Sequence, residues 1–176
     1  GLCEYQQGFD SCNDNTSMFH HHINITTPDL AALLILQMDW LSDMAKRLGR
    51  HNESAYWKSR SDAMLEKMLE KLFDEHGLAI ARDGYTEEPI QTKTPMLLVP
   101  LILGDKLPGK NRRALLEELI NGGYITKLGV ASEATSSPMY NPNDFFRGPI
   151  WDTITLFAVD GLSECGEKSL AKEIAD

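Results

Sequence analysis

Gly8-Phe9-Asp10-Ser11-Cys12-Asn13-Asp14-Asn15-Thr16-Ser17-Met18-Phe19 stands near the start of the chain, and the reading of fold and chemistry turns on it. Carboxylates, amides and hydroxyls fill positions 10–17 with almost no aliphatic material, and a Gly and two Phe mark the borders. Core segments are not built this way. By composition alone Asp10 and Asp14 read first as a polar turn or a helix cap, since Asp, Asn and Ser readily hydrogen-bond their own backbone. What surrounds the stretch has to decide.

Downstream comes His20-His21-His22. Adjacent side chains point apart on a helix or strand, so three histidines in a row suit one metal ion less well than a His-x3-His spacing. They read as a polar loop, and no cofactor or metal is expected. From Thr27 the pattern is helical: Thr27 is placed to N-cap, Pro28 sits in the first turn, Asp29 lies beside the positive end of the dipole, and Gly49 follows the end. Leu30, Leu34, Met38, Leu41, Ala45 and Leu48 recur at spacings of three and four and predict one buried stripe. A second helix is expected from a cap at Asn52 to Gly77, with Trp57, Met64, Leu65, Met68, Leu69 and Leu72 as its apolar face. The short link from Gly49 to His51 makes the two antiparallel neighbours.

Residues 78–81 suit a short extended piece, and 82–93 a polar loop. Thr94-Pro95 then opens a short apolar helix over 96–103, closed by Gly104 and kinked at Pro100. Residues 110–121 form another helix with Leu115, Leu116, Leu119 and Ile120 apolar, again antiparallel to its predecessor. The longest irregular segment is 122–147, and loops of that length inside one domain are usually functional. It holds Glu133, Ser137, Tyr140 and Phe146, and runs into Arg147-Gly148-Pro149-Ile150-Trp151, which is expected to start a helix to about Leu162. Gly166 ends that helix and Glu167 begins another.

The expected fold is all-α: antiparallel helix pairs joined by long polar loops at one end, as in a portion of an (α/α)6 barrel. A single domain, 1–176, divides into an acid-bearing segment (1–26), helix pairs (27–121), an active-site loop (122–148) and a last helix pair (149–176). No strict repeat suggests a solenoid. Twenty-six acids against 17 bases give a net charge of −9 with the basic residues scattered, so nucleic acid is not an expected partner. No run approaches the roughly 20 apolar residues of a membrane span. Cys3, Cys12 and Cys165 are odd in number and lack metal-ligand spacing, so no disulfide framework is expected. Asn15-Thr16-Ser17, Asn24-Ile25-Thr26 and Asn52-Glu53-Ser54 fit the glycosylation acceptor pattern, which recurs by chance; the expectation leans to the cytoplasm. The chain opens inside a motif and stops within a helical pattern, as a fragment of a longer protein would.

The order of residues in the opening stretch resembles the Gly-Asn-Asp-Ser-Gly-Trp-Asp-Asn-Ser-Thr-Val-Phe type of segment found in trehalase-like and processing α-glucosidase-like glycoside hydrolases, families 37 and 63. Gly8, Asp10, Ser11, Asp14, Asn15 and Phe19 match it, and Thr16-Ser17 is a hydroxyl pair in swapped order. Cys12-Asn13 stands where these families have Gly-Trp. A rival register sets Gly8-Phe9-Asp10-Ser11 on Gly-Trp-Asp-Asn and makes Asp10 the acid. The resemblance continues through Pro28-Asp29-Leu30, Arg47-Leu48-Gly49, Ser136-Ser137-Pro138-Met139-Tyr140 and Phe145-Phe146-Arg147-Gly148-Pro149-Ile150-Trp151, in the families' order, to Gly161-Leu162 and Cys165-Gly166. Arg-Gly-Pro-Ile-Trp is its most specific part.

The resemblance implies an inverting O-glycosidase acting on an α-linked glucoside or related oligosaccharide or disaccharide, with Asp14 as general acid. Its base, a Glu in these families, is expected outside this chain, which alone would then be weak or inactive. Asp10 is expected to position Asp14 or bind a hydroxyl. Glu133 is a loop acid expected to be solvated, and a poor substitute base. Asn15, Arg147, Trp151, Tyr140, Phe146 and Ser137 are the expected sugar-contacting residues, with a core position in the helix as the alternative for Trp151. A non-catalytic carbohydrate-binding or scaffold protein that keeps the barrel is the alternative function, and exposed helix faces invite self-association.

Overall fold

The computed structural model describes residues 1–176. Helix α1 (Pro28–Arg47) begins as its punctuation predicts, with Thr27 extended at the N-cap and Pro28 in the first turn. Its buried face is Ala31, Ala32, Ile35, Met38, Ser42 and Ala45, which keeps Met38 and Ala45 of the expected stripe but not its leucines. Leu30, Leu34 and Leu41 are half-buried, and Leu48 is 71% exposed. Small side chains permit the closest approach of a neighbouring helix, so they hold the inner face. The larger leucines pack at its flanks.

That neighbour is α2 (His51–Lys71). Ser42 Oγ donates to the Ser54 carbonyl at 2.8 Å and Ser61 Oγ to the Ile35 carbonyl at 3.4 Å, pairings that run in opposite directions and establish an antiparallel hairpin. Helix α2 stops well before Gly77. Asp74 Oδ1 accepts the backbone N–H groups of His76 and Leu78, and such local side-chain bonds compete with continuation of a helix. Gly77, at φ +93°, completes the turn.

The expected polar loop 82–93 is a correction. It carries β3 (Ala81–Asp83) and β4 (Pro89–Ile90), which join β1 (Glu4–Tyr5) and β2 (Ile25–Thr26) in an antiparallel sheet of order β1-β2-β3-β4. Residues between β1 and β2 therefore form an excursion whose two ends are clamped by strand pairing, Glu4 with Thr26 and Tyr5 with Ile25. The acid-bearing segment lies on that excursion.

Pro95–Lys106 is 3-10 in character and is interrupted at Gly104, where the expected helix was to close. Pro95, at the first helical position, gives up no hydrogen bond, whereas Pro100 inside lacks the N–H that an α-helix would use, and Gly104 breaks the run at φ +52°, ψ −121°. It is the most buried stretch of the chain, packing against α1, α3 (Gly109–Asn121) and above all α4 (Asp152–Glu164). Gly161 of α4 makes this possible, since a Cβ there would lie 2.7 Å from that of Leu101. Helix α4 starts after Trp151, not at Arg147. Ile150 is held extended by a bridge to Ala131, and the Pro149 carbonyl accepts the Ser132 N–H. A small hairpin, β5 (Ile125–Thr126) with β6 (Gly129–Val130), precedes the irregular loop, and α5 (Lys168–Ala175) ends the fold. No helix is long and apolar enough to cross a membrane.

Asp29 lies in the first turn of α1, as expected. It is fully buried, and its Oδ2 accepts the Tyr5 hydroxyl at 3.0 Å, tying β1 to α1 beneath the acid-bearing excursion. Burial holds its carboxyl above the ordinary Asp range, against the hydrogen bond from Tyr5. A raised carboxyl penalises the folded state when it ionises. Stability from this group is greatest below the unfolded Asp value and falls as pH climbs through the raised one. Asp29→Asn stays neutral and still accepts the Tyr5 hydroxyl, so its stability relative to the parent should improve as pH rises from about 4 to about 8. Urea melts across that range check this, and a constant difference would contradict it.

Candidate active site

The acid-bearing excursion is two short 3-10 turns, Gly8–Ser11 and Ser17–Phe19, around an irregular centre. Ser11 Oγ donates to the Gly8 carbonyl at 2.7 Å, and Cys12 ends the first turn in the left-handed region at φ +56°. Asp10 is exposed. One of its oxygens accepts the backbone N–H groups of Gln6 and Gln7 at 3.0 and 3.2 Å, so it closes its own turn and makes no hydrogen bond with Asp14. Asn13 turns inward, its Nδ2 donating to the Ser11 carbonyl at 3.0 Å. No aromatic is supplied from this position.

Asp14 is half-buried, and its carboxyl accepts no hydrogen bond from the protein. Its neighbour Asn15 is a clamp. Asn15 Nδ2 donates to Asp144 Oδ1 at 2.8 Å, its Oδ1 accepts the Phe146 N–H at 2.8 Å, and its carbonyl accepts Arg147 Nε at 2.7 Å. Segments about 130 residues apart in sequence are thereby fixed edge to edge. The N–H of Phe145 and the Asn15 amide hold the Asp144 carboxyl below its ordinary range.

Beside the clamp lies an aromatic cluster. Phe146 stacks on Trp151 with centroids 4.4 Å apart and planes 19° apart, while Phe145 meets both edge-on at 4.6 and 4.9 Å. Trp151 Nε1 donates to the Phe145 carbonyl at 2.9 Å, which fixes the indole. Trp151 is half-buried at the N-cap of α4, neither a core residue of the helix nor fully exposed.

The histidines diverge, as adjacent residues must. His20 Nδ1 accepts from Arg147 Nη2 at 3.3 Å, while His22 Nδ1 meets Asp83 Oδ2 at 2.9 Å. Partial desolvation, His21 and the Arg147 charge lower the His20 pKa. Asp83 drops to about 2, held mainly by the Thr86 N–H and next by His22.

Glu133 is the residue sequence reasoning misplaced. It is fully buried rather than solvated, with Oε2 accepting Ser17 Oγ and Oε1 accepting Ser137 Oγ, each at 2.6 Å. A group with both oxygens taken and no route to water is not a general base. Its loop position gave no hint of burial; the signal was its flanks, Ala131, Ser132 and Ala134, small residues that sit inside. Tyr140 joins the assembly through its N–H to the Ser137 carbonyl at 3.1 Å. Of the expected site residues, Asp14, Asn15, Phe146, Arg147 and Trp151 form one neighbourhood, Ser137 and Tyr140 attach through Glu133, and Asp10 faces away into its own turn.

Residues 3–176 match the glycoside hydrolase domain described as mannosylglycerate hydrolase MGH1-like. The mannosylglycerate hydrolase of Thermus thermophilus is 28% identical over 119 residues, 67% of this chain and 28% of that protein. The crystal structure of a GH63 mannosylglycerate hydrolase from Thermus thermophilus, in complex with Tris, superposes with a TM-score of 0.71 at 26% identity, over 86% of this chain and 36% of that one. Neutral trehalase from Saccharomyces cerevisiae superposes at 0.73 with 18% identity, over 92% and 32%, a likeness of fold. The chain spans about a third of the length of these relatives. Its helix pairs are part of the (α/α)6 barrel those enzymes share, and the chain belongs to the MGH1-like family of glycoside hydrolases.

Proposed function

We propose that this chain is the acid-bearing part of an inverting glycoside hydrolase that cleaves an α-linked glucoside or mannoside, with Asp14 as the general acid. The observation that carries the reading is the contrast between the two candidate acids. Asp10 is engaged in closing a turn, whereas Asp14 keeps its carboxyl unengaged and is next in the chain to Asn15, the clamp that holds Phe146 and Arg147.

Inversion needs a second carboxylate to activate water from the opposite face, roughly 6.5–9.5 Å from the acid. Glu133 is occupied by two serines, and the resemblance to families 37 and 63 implies a Glu base outside this chain. The stacked rings offer an apolar platform to one sugar face, and Arg147, with Nη1 uncommitted, supplies donors for hydroxyls or an anionic group. Mannosylglycerate, the substrate in the relative's name, carries such an anionic group and is the first compound to test beside α-glucosides.

The polypeptide carrying this domain should release the β-anomer of the sugar first, followed by proton NMR before mutarotation. Initial release of the α-anomer would exclude inversion. Binding without turnover would favour the carbohydrate-binding reading instead.

A further inference from the structure

We infer that Glu133 is a positioning residue, a buried two-sided latch that fixes the acid-bearing segment to the loop carrying Ser137, Tyr140 and Arg147. The proposal rests on the reading of Asp14 as general acid for its kinetic consequence, but not for its structural one.

Three observations support it. Glu133 is fully buried and engages no Lys, Arg or His in a salt bridge, so it does not balance a cation. Its two oxygens face in different directions: Oε2 accepts the hydroxyl of Ser17, on the turn directly after Asp14, and Oε1 accepts that of Ser137, in the loop. Both serines are themselves fixed, Ser17 Oγ lying 2.5 Å from Thr92 Oγ1 and Ser137 Oγ accepting the Met139 N–H at 3.1 Å. The backbone on either side of Glu133 is equally constrained. Ser132 Oγ accepts the Gly148 N–H at 2.9 Å, and the Ala134 N–H donates to the Lys93 carbonyl at 2.9 Å.

The carboxyl is thus the single link in the chain Ser17–Glu133–Ser137. Asn15 ties the same two segments together farther along the loop, at residues 144–147. With both ties in place the loop cannot swing about either one. Removing the Glu133 tie takes the carboxylate acceptor from both serines, leaving Ser17 only Thr92 to pair with, and lets the segment around Asp14 pivot on Asn15.

Hydrogen–deuterium exchange tests this without requiring turnover. Ser137→Ala touches the acid-bearing segment only through Glu133, yet it should raise amide exchange across residues 13–19 roughly five- to tenfold, as loss of one hydrogen bond implies. Glu133→Ala should raise it further, while protection of α1 and α2 stays unchanged. Glu133→Gln should stay near the parent, because Ser17 can accept from the amide while donating to Thr92. In the polypeptide carrying this domain, Glu133→Ala should lower kcat with KM within about twofold, and Glu133→Gln should restore it. If Glu133→Ala fails to fold, Ser137→Ala decides. Unchanged exchange at 13–19 in the folded variants would overturn the latch, as would equal loss of protection in α1 and α2, which marks an ordinary core residue. Should Asp14→Asn retain full activity, the acid reading fails, while the exchange result still judges Glu133.

Discussion

Asp14→Asn is expected to lower kcat of the polypeptide carrying this domain by about 10²–10⁴-fold on an unactivated α-glycoside, the usual worth of a general acid. KM should change little, because the carboxamide keeps the size and polarity of the group. No hydrogen bond to the protein is lost, since Asp14 makes none through its side chain, so melting temperature should hold and an activity loss will not be a folding artefact. The defect should shrink on a glycosyl fluoride or dinitrophenyl glycoside, whose leaving groups depart without a proton. Asp10→Asn is the internal comparison. Its carboxyl closes the turn at Gln6 and Gln7, a role an amide oxygen can fill, so kcat should remain within about threefold. If instead Asp10→Asn abolishes turnover and Asp14→Asn does not, the acid lies in the rival register.

Where the sequence was readable and where it was not follows from the range of the forces involved. The start of α1 was visible in Thr27-Pro28 because capping is local, and the helix hairpin because the link at Gly49 to His51 leaves no other geometry. The inner face of α1 was visible only at Met38 and Ala45. Leucine periodicity marks apolar faces, but which residues meet a neighbouring helix depends on how closely that helix approaches, and here Ala31, Ala32 and Ser42 take the place of the leucines. Two-residue strands such as β2 and β4 have no period to detect; they exist because distant partners pair with them.

The candidate site divides in the same way. Arg147, Trp151 and Asn15 were legible through motif order, while the bonds that unite them span about 130 residues and leave no local trace. Glu133 was misjudged because an acid in a polar loop is usually solvated. Its burial depends on two serines contributed from either side, and no spacing rule connects Ser17 to Glu133.

Gly8→Ala should inactivate the same polypeptide through the backbone alone. A Cβ at position 8 would lie 1.8 Å from the carbonyl oxygen of Asp14, 2.7 Å from its carbonyl carbon and 3.2 Å from its Cα. The backbone of Gly8 is not in the left-handed region, so the objection is contact rather than conformation. All three atoms belong to the main chain and cannot rotate aside, and relief requires Asp14 to move by about an ångström or more against the Asn15 clamp. Displacement of that size at a reacting group costs on the order of 10²-fold in rate, and the overpacking should destabilise the fold by about 1–3 kcal/mol. Gly109→Ala, where a Cβ meets nothing within 4 Å, should leave both kcat and melting temperature at or above the parent's. The two alanine variants differ from the parent by one methyl group in each case, so the difference between them isolates the position of Asp14. Parent-like activity and stability in Gly8→Ala would mean that the segment from Gly8 to Asp14 does not fold back on itself, and the proposed role of Asp14 would lose its structural support.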